Sequence, residues 1–109
     1  MILTISIGFG RGAGNMTGQL VSSKAGHDKG TLYVVTAEEG DFVYLCDGRL
    51  KTPDKPKKKR RKHVQPINAL VDGRLLEKLA DGGTIYAEEI RYALRQYEEK
   101  RMQAGIQVK

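Results

Sequence analysis

Seven of the eight residues in Lys55-Pro56-Lys57-Lys58-Lys59-Arg60-Arg61-Lys62 are cations, the densest chemical signal in the chain. Like charges so close together repel, and a run of this kind gains stability when a polyanion neutralises it. With Lys51 and His63 at its flanks it forms one candidate anion-binding segment. A second candidate is the turn Ala25-Gly26-His27-Asp28-Lys29-Gly30, entered through Lys24. Its glycines permit φ > 0, and a turn of this kind offers backbone N–H groups, together with Lys24, Lys29 and His27, to a phosphate or a base edge. Tyr33, Phe42 and Tyr44 could stack on bases, but on short strands the expected place for Phe42 and Tyr44 is the interior.

Other chemistries find no support. His27 and His63 each lack a second ligand at metal spacing, so no metal site is expected. Cys46 ends an apolar strand with no neighbouring His and reads as a small buried hydrophobe. Glu88, Glu98 and Glu99 stand three or four residues from Arg91, Arg95 or Arg101, and Glu89 falls in the first turns of a helix, which is ordinary helix electrostatics. Gly8-Phe9-Gly10-Arg11-Gly12-Ala13 fits the loose dinucleotide pattern, yet a further strand rather than a helix follows it, and no cofactor is expected. The string PKKKRRK also fits a nuclear-import signal, a reading nothing else in the chain supports. The chain is read as a non-enzyme.

The elements that must position these residues follow from the apolar pattern. Gly18–Lys24 and Thr31–Ala37 read as the first two strands. In the second, Leu32 and Val34 occupy one alternation phase and Tyr33 and Val35 the other, predicting a strand covered on both sides. Phe42–Cys46 is the third, Asp47-Gly48 a tight hairpin turn into a strand beginning at Arg49 and Leu50, and His63–Ile67 an edge strand marked by Pro66. Four to five short strands in about fifty residues suit a small closed barrel. Beyond Asn68 the period becomes helical. Asp72 is a candidate N-cap for a helix bearing Leu75, Leu76 and Leu79 and ended by Gly82-Gly83. Thr84 is a candidate cap for a second helix with Ile90, Ala93, Leu94 and Tyr97 on one face, and the final AGIQVK is expected to fray.

Nineteen Lys and Arg against thirteen Asp and Glu give 109 residues a formal charge of +6. This excess, concentrated in one run, is the footprint of a polyanion binder. A single cysteine excludes an internal disulfide, and the apolar start MILTISIGF is too short to span a bilayer, so the expected setting is cytoplasmic, with no membrane association.

The strand, glycine turn, strand pattern over Leu20–Val34, with Gly26, Lys29 and Gly30, resembles the KOW motif of ribosomal and transcription-elongation proteins. Asp47–Asn68 and the tail AEEIRYALRQYEE are similar to small bacterial KOW-domain RNA-binding proteins, themselves similar to a eukaryotic and archaeal large-subunit ribosomal protein. The resemblance covers about residues 16–99. It implies a mainly β fold, an SH3-like barrel over 16–68 with a basic loop at 51–62, a helical extension over 69–109, and a glycine-rich segment, 1–15, outside the family pattern. It further implies a protein that contacts ribosomal RNA of the large subunit through Lys24, Gly26, His27, Lys29, Lys51, Lys55, Lys57, Lys58, Lys59, Arg60, Arg61, Lys62 and His63, and a basic monomer is the simplest expectation for its oligomeric state. His27 stands where the family usually has a basic residue, so that contact is expected to be either weaker or dependent on pH. With about five phosphate contacts, log K against log salt falls with a slope near −3 to −4. The alternative expectation is a protein-interaction adaptor of the transcription or translation machinery, with a ribosomal or transcription protein as partner, using the barrel and the Ile90, Leu94 and Tyr97 face of the C-terminal helix.

Overall fold

The computed structural model describes residues 16–108, with side chains through Gln103. The strand expected at Ile2–Ile7 and the glycine pattern at Gly8–Ala13 lie outside the described residues. Five strands, β1 (Gln19–Ser23), β2 (Leu32–Glu39), β3 (Phe42–Cys46), β4 (Lys57–Arg60) and β5 (Val64–Leu70), form one antiparallel sheet in the order β4-β3-β2-β1-β5. A single turn of 3-10 helix, Arg61–His63, joins β4 to β5, and two helices follow, α1 (Gly73–Asp81) and α2 (Ala87–Val108). The chain is thus mainly β with a helical C-terminal part. None of its described helices is long and apolar enough to cross a membrane.

Alternation along the strands divides the core in two. Val21, Tyr33, Val35, Val43, Leu45 and Val64 pack on one face of the sheet. Leu20, Val34 and Cys46 pack on the other, against Val71, Leu75, Ile90 and Ala93 from the helical part. The double-phase apolar pattern of β2 therefore does mark a strand covered on both sides: Val34 and Val35 are both fully buried, on opposite faces. Cys46 is buried as expected, and desolvation pushes its thiol pKa up despite the nearby Thr36 hydroxyl.

Several details depart from the sequence reading. The expected closed barrel is open: β4 and β5, the first and last strands of the sheet, are not hydrogen-bonded to each other. Arg49 and Leu50 do not begin a strand. The Asp47 carboxylate accepts from the N–H groups of Arg49 and Lys51, and the N–H groups of Asp47 and Gly48 donate to the Lys51 carbonyl, closing a compact loop. Pro53 and Pro56 carry no N–H, and regular pairing with β3 resumes only at Lys57. Asp72 caps α1 as predicted, accepting from Leu75 N–H at 2.9 Å, and Gly82 ends it in the left-handed conformation. The cap of α2 is not Thr84. Glu89 reaches back to the Tyr86 N–H at 3.0 Å while donating its own N–H to the Tyr86 carbonyl. Lys78 and the Tyr86 N–H hold the Glu89 carboxyl below the usual range, and the Lys78–Glu89 ion pair at 2.8 Å links the two helices. The C-terminal segment is helical to Val108 rather than irregular.

Gly48 is where the 47–51 loop meets α2. Its φ is +79°, and a Cβ there would stand 2.6 Å from both the Ala87 carbonyl oxygen and Arg91 Cγ. Gly48→Ala therefore combines left-handed backbone strain with a clash against a helix. It is expected to lower stability by about 2–3 kcal/mol in urea or thermal unfolding. A loss below about 0.5 kcal/mol would mean that the loop does not hold this approach.

Candidate nucleic-acid interface

The run 55–62, expected within the basic loop 51–62, is in part a strand. Four of its residues make β4, paired Lys57 to Leu45, Lys58 to Tyr44, Lys59 to Val43 and Arg60 to Phe42. Period-2 alternation then sorts the charges onto two faces. Lys57 and Lys59 point to the side of Val43 and Leu45, where they bind Asp28 at 2.9 and 3.0 Å. Lys58 and Arg60 lie on the opposite side over aromatic rings, with the Lys58 ammonium 4.5 Å from the Phe42 centroid and the Arg60 guanidinium 5.1 Å from it. The repulsion read from the bare sequence is relieved locally, by a carboxylate on one face and by rings on the other.

Asp28 is the hub of the site. Besides Lys57 and Lys59 it accepts from the hydroxyls of Ser23 and Tyr33 at 2.9 and 2.8 Å. Burial acts to raise its pKa, but these four donors outweigh burial and hold the carboxyl well below the usual carboxylate range. Tyr33 is pushed above its ordinary value, first by burial and then by its bond to Asp28. The turn that carries Asp28 is further tied to the basic segment by Lys59 Nζ donating to the Ala25 carbonyl at 3.0 Å. The Lys24 N–H also donates to the His63 carbonyl at 2.8 Å. Gly26 and Gly30 have φ of +90° and +89°, as the turn reading required.

The fold thus brings the two predicted segments side by side. Lys24, Gly26, His27, Lys29, Lys55, Lys58, Arg60 and Lys62 are exposed, whereas Lys51, Lys57, Lys59, Arg61 and His63 are half-buried. Arg60 reaches Asp41 at 3.3 Å across an exposed pair, a contact of small energetic weight. Arg61 is held by Glu38 and by the Gly40 carbonyl. Lys51 serves the 47–51 loop through its backbone. Of the thirteen predicted residues, Lys57, Lys59 and Arg61 have their charges engaged by the protein itself, and the exposed lysines are the ones available to an outside anion.

Phe42 and Tyr44 are not interior. Val43 and Leu45 take the buried phase of β3 and are fully enclosed, leaving Phe42 and Tyr44 half-buried beside Lys58 on the other face. The Tyr44 hydroxyl donates to Glu39 at 2.6 Å, and this bond raises its pKa. The Phe42 ring is covered by the protein's own Lys58 and Arg60, which leaves only its open part to an outside group. The alternation Phe-Val-Tyr-Leu, with two aliphatic residues in one phase, was the available signal for this arrangement. Asp28 had no such signal: its role depends on Lys57 and Lys59, some thirty residues away. No family model matches the chain, and no curated protein matches it significantly.

Proposed function

We propose that the chain is a non-enzymatic RNA-binding protein, an open SH3-like barrel of the KOW type that contacts ribosomal RNA of the large subunit in the cytoplasm. The observation that supports this reading is the joining of the glycine turn to β4 through Asp28, which ties the turn with its exposed Lys24, His27 and Lys29 to the segment that carries Lys58 and Lys62. Backbone phosphates supply the affinity, and the sheet fixes orientation. Because β4 is already ordered and paired, binding requires no folding of the basic segment, in contrast to the loop ordering that a flexible run would need. The adaptor reading loses its helix face, since Ile90 is fully buried and Leu94 and Tyr97 pack against the core.

The test is sedimentation of lysate through a gradient at low and high salt, with RNA crosslinked to the protein in each fraction. Co-migration with large subunits or their precursors, release by salt, and crosslinks at Lys58 and Lys62 are expected. Migration at the top of the gradient at both salts, without crosslinks, would sink the reading.

A further inference from the structure

A polar cavity of about 350 Å³ lies between the 47–51 loop, the start of β2 and α2, lined among others by Thr31, Asp47, Arg49, Arg91, Arg95 and Glu98. Its three guanidiniums come from two elements. Arg49 belongs to the loop, while Arg91 and Arg95 stand four residues apart on α2 and so share one face of the helix. Arg91 is half-buried and donates to the Gly48 carbonyl, which joins loop to helix. The close approach at Gly48 makes that junction tight, so the cavity wall is built rather than incidental.

The charges in this cavity are poorly matched internally. Arg49 and Arg95 are exposed, and among the described residues neither guanidinium has a carboxylate or carbonyl partner. Glu98 is three residues from Arg95, the spacing of a helical ion pair, yet no pair forms. Asp47 is turned to its own loop, accepting from the Arg49 and Lys51 N–H groups. Three guanidiniums against two carboxylates leave one positive charge, which matches a single phosphodiester. The volume falls in the range of small-ligand pockets and admits one phosphate with its sugar. The wall at Gly30 and Thr31 is the far end of the turn that carries Lys24 and His27, so the cavity continues the surface described above.

We propose that this cavity receives one backbone phosphate of the same RNA, bound by Arg49 and Arg95, with Arg91 as the positioning residue. The inference rests on the reading of the chain as an RNA binder. In the full chain, R49Q/R95Q is expected to weaken binding of a labelled single-stranded RNA on the order of tenfold and to flatten the log–log salt slope by about 0.7, one phosphate's worth. R49K/R95K, which keeps the charge, restores the parental slope. Both arginines are exposed, so the thermal midpoint stays at the parental value, which separates lost binding from lost fold. A parental protein that binds no RNA at any salt overturns both readings. If the parent binds, and loses affinity when Lys24, Lys29, Lys58 and Lys62 are neutralised, an R49Q/R95Q protein indistinguishable from the parent overturns the cavity alone. Failure of the lysine variant to restore the slope overturns it as well.

Discussion

Replacing Lys24, Lys29, Lys58 and Lys62 together with Gln weakens RNA binding by about 10²–10³-fold at about 0.1 M salt, the largest effect expected on affinity. Every phosphate of a single strand that goes unneutralised takes about 0.7 from the salt slope, so four remove about 2.8 decades one decade below a 1 M reference. Fluorescence anisotropy across a salt series reads both numbers. The four side chains are exposed, and the thermal midpoint should move by less than a few degrees. Parental affinity with a parental slope would remove the exposed lysines from the interface. A variant that neutralised Lys57, Lys58, Lys59, Arg60 and Arg61 together would answer less, because Lys57 and Lys59 hold Asp28 and Arg61 holds Glu38. Such a protein would lose its fold and its binding at once.

Asp28→Asn carries the largest expected effect on stability. The substitution removes the counter-charge of Lys57 and of Lys59, whose side chain is only 10% exposed. It also weakens the acceptor for the Ser23 and Tyr33 hydroxyls. Leaving a largely buried ammonium without its partner costs about 2–3 kcal/mol here, after allowance for the Ala25 carbonyl that remains to Lys59. For a domain of this size that is a fall of about 10–20 °C in melting temperature. The pH dependence has a definite sign. Because the folded carboxyl titrates below its unfolded value, its stabilisation is complete above about pH 4 and is lost as pH falls further. The gap between parent and variant should therefore be full at pH 7 and narrow progressively below pH 4, as read by urea unfolding across a pH series. A gap of equal size at pH 7 and at about pH 2 would show that the carboxylate charge is not what the cluster depends on.

Much of the framework was legible in the sequence because it depends on local pattern. The two-sided burial of β2, the cap at Asp72, the turn glycines and the edge position of Pro66 each follow from residues within a few positions of one another. What escaped was set by pairing across the chain. Lys57–Arg60 reads as a repelling run until β3 lies beside it and alternation delivers two lysines to Asp28 and the other two cations to Phe42 and Tyr44. Asp47-Gly48 has the composition of a hairpin turn, but Asp47 bonds its own loop and the following prolines postpone the next strand. The candidate site divides the same way. Its two segments were identifiable by composition, whereas the division of their cations into engaged and available ones required the register.

The position of β4 in the sheet also bears on how copies of the protein behave toward one another. β4 and β5 are the terminal strands, and among the described residues each has one hydrogen-bonding side without a strand beside it. Open edges of this kind invite a second chain to add on, and lysines on one edge and a proline on the other are the usual deterrents. Here Lys58, Arg60 and Pro66 occupy those edges. The cations at the β4 edge and the proline at the β5 edge are therefore expected to discourage strand addition by a second copy in concentrated solution. Neutralising that edge, by substitution or by bound polyanion, removes the deterrent from β4 and leaves solubility to the rest of the surface.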